Sequence, residues 1–173
     1  MMHLNSKGFV FDDDSGGGFD PIDELQSLLA AESVSINSYE HLLSVQAVAA
    51  MHQVAAACRD FHAVNASLLR QHLLDAGAQI PDFVDLWHSL SGLRSGAASF
   101  FGEEAVLAAL RKDELGALSE YESKINALDG EHLLLVQQKL IPNQMKICEL
   151  LGALNDKMPE MVQPNVPLNI ELA

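Results

Sequence analysis

The sequence predicts an all-α fold, a four-helix bundle in which two antiparallel hairpins are joined by a long crossover. Apolar residues recur at the helical period of about 3.6 residues in four long segments. Short connections within each pair of segments make the paired helices antiparallel, whereas a crossover of about 25 residues can run the length of a bundle. The predicted helices are 21–46, 49–76, 103–127 and 131–157, and the crossover is 78–102.

The first hairpin has clear helix-end signals. Asp20 is a suitable N-cap, and proline suits the first helical position that Pro21 takes. Gly77 is a natural stop for the second helix. The apolar side consists of Leu25, Leu28, Leu29, Ile36 and Leu43 on the first helix, and of Met51, Val54, Cys58, Phe61, Leu69, Leu73 and Ala76 on the second.

The second hairpin turns at Asp129-Gly130. Because Pro142 cannot donate a backbone hydrogen bond, it predicts a kink inside the fourth helix. The apolar side consists of Leu107, Leu110, Leu118, Ile125 and Leu128 on the third helix, and of Leu133, Val136, Leu140, Ile147, Leu150, Leu151, Leu154 and Met158 on the fourth.

The remaining segments are a crossover and two ends. Leu86, Trp87, Leu90 and Leu93 predict a short extra helix within the crossover that covers part of the core. The acidic, glycine-rich leader 1–20 and the tail 159–173, which holds three prolines, are expected to be flexible. Each end also carries an apolar patch that could dock on a partner.

The composition excludes several function classes. With 24 acidic and 10 basic residues and a formal charge of −14, the chain lacks the basic surface that nucleic acids and anionic membranes require. No stretch approaches the roughly 20 apolar residues of a membrane span, and the N-terminus does not have the pattern of a signal peptide. Two cysteines do not form a disulfide framework, so a cytoplasmic location is expected.

Two glutamates lie on the apolar sides of their helices. At about 100° per residue, Glu32 falls about 20° from Leu25, and Glu114 falls about 20° from Leu107. Seven residues after each glutamate comes a tyrosine, and an offset of 82 residues relates the two pairs. We interpret the halves as a degenerate internal repeat, with one hairpin in each half. The tyrosines are Tyr39 and Tyr121.

A carboxylate in an apolar core needs hydrogen bonds, an opposite charge or a metal ion. The second helix offers His62 and Asn65 on its buried side, and His62 lies near mid-helix, where it can reach both glutamates. On the fourth helix only Asn143 takes a central position, so no obvious metal ligand is expected there.

The helix order, the long crossover and the inward acids resemble the ferritin-like superfamily, and more closely an uncharacterised bacterial family of small ferritin-like bundles. Two features are similar to that family: the segment from Glu114 to Tyr121 on the third helix, and a tryptophan in the crossover, here Trp87. The resemblance covers roughly 22–157. It implies a di-metal centre with one Glu from each of two helices and a Glu-x-x-His from each of the other two. Glu32 and Glu114 match the single glutamates. Neither Glu-x-x-His is present, because Arg59 precedes His62 by three residues and 143–147 contains neither Glu nor His, which disfavours a di-iron enzyme.

Two hypotheses stay open. In one, Glu32, Glu114 and His62 hold a single divalent ion (Fe, Mn or Zn) in a protein of metal homeostasis or oxidative stress. In the other, which the incomplete ligand set favours, the bundle is a non-catalytic binding or interaction protein. It would then engage a protein partner, or a second copy as a homodimer, through helix faces or the terminal segments. The core acids would form a metal-free polar layer with His62, Tyr39, Tyr121, Asn65 and Asn143.

Overall fold

The computed structural model describes residues 20–44, 49–80 and 103–161, and the regular structure within these ranges is helical, without strands. The all-α prediction with four bundle helices is therefore confirmed. The elements are α1 (Pro21–Ser44), α2 (Ala49–Asp75), α3 (Glu103–Lys124), a 3₁₀ turn (Ile125–Ala127), α4 (Gly130–Leu135), a π segment (Val136–Leu140) and α5 (Ile141–Met161). The last three elements follow one another without a break and form the fourth helix (130–161).

Several predicted features lie outside these ranges. They are the short crossover helix with Trp87, the leader up to residue 19, and the tail beyond residue 161. The tail was expected from residue 159, but α5 continues to Met161. In the ranges that the structure describes, none of the helices has both the length and the apolar character that a membrane span requires.

The predicted helix-end signals of the first hairpin operate as expected. The N–H of Ile22 donates to Oδ1 of Asp20 at 2.9 Å, so Asp20 is the N-cap of α1. At the other end of the hairpin, Gly77 has a φ of 75°, a left-handed conformation that favours glycine. The N–H of Ala78 donates to the carbonyl of Leu73 at 2.9 Å, which completes a Schellman motif and ends α2.

The helices pack as two hairpins whose facing members run antiparallel. α1 packs on α2, α3 packs on α5, and α2 also contacts α5. Side-chain contacts join α1 to α3 in opposite chain order, since Lys124 pairs with Glu24 while Tyr39 reaches Glu114. Each of the four helices therefore presents one side to a shared core.

The core consists of two apolar clusters with a polar layer between them. One cluster consists of Leu25, Leu28, Leu29, Ala66, Leu69, Leu73, Tyr121, Leu128, Val136 and Leu140. The other consists of Tyr39, Met51, Ala55, Cys58, Leu107, Ile147, Leu151 and Leu154. The buried polar side chains between the two clusters are Glu32, His62, Asn65, Glu114 and Gln144, and we call this group, with the tyrosines that contact it, the central layer.

The fourth helix, predicted over 131–157 with a kink at Pro142, loses its regular α geometry just before this proline. Directly before Pro142 it widens into the π segment, where the N–H of Ile141 donates to the carbonyl five residues back. Widening relieves the conflict between the proline ring and the carbonyl four residues earlier. A π turn takes about one more residue than an α turn, so the register after it shifts by about one residue. As a result Gln144 is fully buried, at 0% exposure, while Asn143 is only half-buried.

Candidate functional site: a histidine between two buried glutamates

The two inward glutamates are both buried, and one histidine lies between them. Glu32 is 3% exposed, Glu114 is 4% exposed and His62 is 1% exposed. Nδ1 of His62 is 2.7 Å from Oε2 of Glu32, and Nε2 is 3.3 Å from Oε1 of Glu114. The imidazole therefore bridges the carboxylates of α1 and α3.

The electrostatics of this contact favour a charged histidine. Burial alone would lower the pKa of His62, but the hydrogen bonds and charges of Glu114 and Glu32 outweigh burial and raise the pKa to about 9. Burial would raise the pKa of Glu114, but the hydrogen bond and charge of His62, with hydrogen bonds from Gln144 and Tyr39, hold it below its ordinary value. At neutral pH His62 is thus an imidazolium that donates from both nitrogens.

The two tyrosines bind the carboxylates reciprocally. The hydroxyl of Tyr39 on α1 donates to Oε1 of Glu114 on α3 at 2.9 Å, and the hydroxyl of Tyr121 on α3 donates to Oε1 of Glu32 on α1. Burial, followed by the charge of the neighbouring carboxylate, raises the pKa of each tyrosine. Both hydroxyls therefore stay protonated and act as donors.

Tyr39 also packs against the imidazolium. Its ring is stacked on the ring of His62, with centroids 5.5 Å apart and planes inclined by 30°. A cation within about 6 Å of an aromatic face is attracted by the ring quadrupole. The same tyrosine therefore supports both the histidine and Glu114.

Amide side chains supply the remaining donors. Nδ2 of Asn65 donates to Oε1 of Glu32 at 3.2 Å. Nε2 of Gln144 donates to Oε2 of Glu114 at 2.8 Å and to the Glu114 carbonyl at 3.0 Å. Asn143 does not donate to either carboxylate; its Nδ2 donates to Oδ1 of Asn65 at 2.8 Å. Each of the four carboxylate oxygens thus accepts at least one hydrogen bond.

The sequence pattern predicts Asn143, and not Gln144, at the central position of the fourth helix. That assignment assumed 100° per residue throughout, which the π segment does not keep. A signal was nevertheless available, because the 82-residue offset that relates Glu32 to Glu114 also relates His62 to Gln144. The histidine of one hairpin thus has an amide as its counterpart in the other.

Other candidate groups lie apart from the central layer. His41 and His52 are exposed. Cys58 is buried, and burial is the main cause that raises the pKa of its thiol to about 12, so the thiolate that acts as a nucleophile or ligand is not formed at neutral pH.

A second histidine contact lies at one end of the bundle. Nε2 of His72 is 2.7 Å from Nδ1 of His132, and both rings are half-buried. Burial, followed by the neighbouring His132, lowers the pKa of His72. This contact joins α2 to α4, and the sequence did not predict it.

The donors of the central layer do not fit the di-metal centre that the resemblance implies. Such a centre takes four carboxylates and two imidazoles, whereas the layer holds two carboxylates and one imidazole. More generally, the described ranges contain no group of three or more His, Cys, Asp or Glu side chains arranged to hold a metal ion. One buried side-chain atom in these ranges, Oε1 of Gln144, has no hydrogen-bond partner.

No protein-family model matches this chain, and comparisons with curated proteins and with solved structures found no match either.

Proposed function

We propose that this chain is a ferritin-like four-helix bundle that serves as a non-catalytic binding protein, with an imidazolium where a metal centre would lie. The observation that carries the proposal is the position of His62, which is hydrogen-bonded to Glu32 and Glu114 through its two ring nitrogens. A buried carboxylate pair needs a counter-charge, and a protonated histidine supplies it without a metal ion.

The chemistry of the central layer supports a structural role for these residues. General acid–base catalysis requires a group that can exchange protons with a substrate at the working pH. Here the carboxylate oxygens accept hydrogen bonds from within the protein, and the tyrosine hydroxyls stay protonated. A layer of this kind holds four helices in one register, because a shift of any helix would leave a buried charge or a buried amide without its partner.

Binding would then occur on the outside of the bundle. Its charge of −14 favours a protein partner over nucleic acid. The large apolar side chains exposed on the described helices are Val64, Leu74, Leu115, Leu134 and Met145. A partner protein or a second copy of the chain could cover part of this surface together with the terminal segments.

The protonation state of His62 tests the first half of the proposal. We expect nitrogen NMR of the full chain at pH 7.5 to show one histidine with both ring nitrogens protonated, and we expect that signal to disappear in His62→Gln. A neutral His62 ring, or a ring nitrogen shifted by metal coordination, would contradict the proposal.

The oligomeric state and partner binding test the second half. Light scattering after size exclusion compares the full chain with Leu115→Lys and with truncations of 1–19 and 162–173. At least one variant should change the molar mass or lose partner binding while the helical circular dichroism is kept. Unchanged mass and binding in all three would count against an interaction protein.

The orphaned Oε1 of Gln144 favours a second candidate, a protein that binds one divalent ion (Fe, Mn or Zn) through Glu32, Glu114 and His62. Gln144 would add a neutral oxygen ligand, and His62 would have to lose a proton. Metal analysis of the wild type beside Glu114→Ala and Gln144→Leu distinguishes the two candidates. Metal that both variants lose would favour the second candidate, and equal metal content in all three would exclude this site.

A further inference from the structure

The contact between His72 and His132 links the two hairpins at a point that the proposed function does not use. His72 lies in the last turn of α2, and His132 lies in the first turn of α4. The rings meet edge to face, with centroids 5.0 Å apart and planes inclined by 83°. Both residues are half-buried, so the pair lies near the surface of the bundle.

We propose that His72 and His132 form a binding site for one divalent transition-metal ion of the Zn²⁺, Ni²⁺ or Cu²⁺ class. Imidazole nitrogen is a preferred ligand of these ions. Nε2 of His72 and Nδ1 of His132 face each other at 2.7 Å and share one hydrogen. The ion takes the place of that hydrogen, which moves through solvent to the outward nitrogen of the ring that donated it, so each ring stays neutral with its one proton on the nitrogen that faces away.

The geometry needs only a small adjustment. With Zn–N distances of 2.0–2.1 Å and tetrahedral angles, two ligating nitrogens lie about 3.3 Å apart. The two rings must therefore separate by about 0.6 Å from their contact distance, and each must tilt so that both ring nitrogens aim at the ion beside the line that joins them. Water completes the coordination. The site therefore has two protein ligands, both of them histidines.

Neighbouring charge favours a cation at this place. The carboxylates of Glu131 and Asp75 act electrostatically on His72. Asp75 is held by Nε2 of Gln71, which donates to its Oδ1 at 2.8 Å. Nearby negative charge offsets the repulsion between the ion and the partial positive charge at the helix N-terminus that carries His132.

Both histidines are held on well-defined backbone. The Schellman motif with Gly77 ends α2 a few residues after His72. On the other side, the N–H of Leu133 donates to the carbonyl of Asp129 at 3.1 Å and closes the first turn of α4. An ion bound to both rings would hold the hairpins together, and by linkage it would stabilise the folded state.

Zinc titration of the full chain tests the site. Calorimetry should show one Zn²⁺ per chain at this site, and saturating Zn²⁺ should raise the melting temperature by several degrees. His72→Gln and His132→Gln should each weaken binding about tenfold or more and remove most of the rise. The matched control is His52→Gln, because His52 is an exposed histidine on the same helix, and this variant should behave as the wild type.

A nitrogen NMR spectrum gives an independent readout that does not depend on stability. On addition of Zn²⁺, the signals of His72 Nε2 and His132 Nδ1 should shift together, while those of His62 should not. Absence of zinc binding by the wild type would overturn the proposal. Undiminished binding by His72→Gln or His132→Gln, or a shift of His62 alone, would do the same.

Discussion

The two hairpins contribute the same acid and the same tyrosine to the core, but they differ in the third residue. The shared residues are Glu32 and Tyr39 in the first hairpin and Glu114 and Tyr121 in the second. Where the first hairpin places His62, the second places Gln144 at the same offset. Only one of these two residues can carry a positive charge, and it contacts both carboxylates.

This difference shows how a repeated motif can share a single counter-charge. A second imidazolium at the Gln144 position would bring two like charges close together in a buried site, which is unfavourable. The amide at this position instead donates to Glu114 and adds no charge. The acids are thus arranged symmetrically, while the group that neutralises them is not.

Replacing the third residue in each hairpin should give the largest effects, and unequal ones. His62→Leu leaves two buried carboxylates without their counter-charge and should lower the free energy of unfolding by about 3–5 kcal/mol. Gln144→Leu removes a neutral donor and should cost about 1–3 kcal/mol. Urea denaturation at pH 7 measures both, and equal losses would show that the two positions are equivalent after all.

The same asymmetry predicts how stability changes with pH. Because the pKa of His62 rises from 6.5 when unfolded to about 9 when folded, its contribution is complete below pH 6.5 and is lost as the pH rises through 9. We expect the free energy of unfolding to fall by up to about 3 kcal/mol over that interval. Denaturation at several pH values should show the fall in the wild type and a flatter profile in His62→Gln; parallel profiles would contradict the charge assignment.

On the acid side the contribution has the opposite sign. The pKa of Glu114 is lowered from 4.5 on folding, so its contribution is present above pH 4.5 and is lost as the pH falls through the folded value. Glu114→Gln should therefore lose less stability than the wild type between pH 5 and 3. Acid denaturation followed by circular dichroism checks this expectation.

The tyrosines should behave alike, in contrast to the third residues. Tyr39→Phe and Tyr121→Phe each remove one hydrogen bond to a buried carboxylate, worth about 1.5–3 kcal/mol. We expect the two losses to agree within about 1 kcal/mol, because the two bonds are reciprocal. If Tyr39→Phe lowers the free energy of unfolding and Tyr121→Phe does not, the two tyrosines are not equivalent, and this result would contradict the prediction.

The smallest effect should come from removing the π segment. Deleting Gln138, together with Pro142→Ala, should leave a regular α-helix in which Gln144 still points into the core. The free energy of unfolding should fall by no more than about 1 kcal/mol. The control is deletion of the exposed Lys112 in the regular α3, which rotates Glu114 by about 100° from the core and should cause a much larger loss. Equal losses in the two deletions would show that the π segment does not set the register.

Much of the fold could be predicted, because helix formation leaves local signals. The periodicity of apolar residues, the N-cap at Asp20 and the stop at Gly77 depend on neighbours in the chain, and all three appear in the structure. The burial of Glu32 and Glu114 follows from the same periodicity, since each lies on the stripe of its own helix. The metal-binding role of Glu32, Glu114 and His62 stays a prediction.

The sequence by itself determined the helices, their order and the two acids that point inward. Only the tertiary structure decided what neutralises those acids. The contacts of His62 depend on how α1, α2 and α3 pack, and the arrival of Gln144 depends on a π segment that shifts the register of the fourth helix. The physical reason is that a helix face is encoded within a few turns of chain, whereas hydrogen bonds between helices depend on distances that no single helix contains.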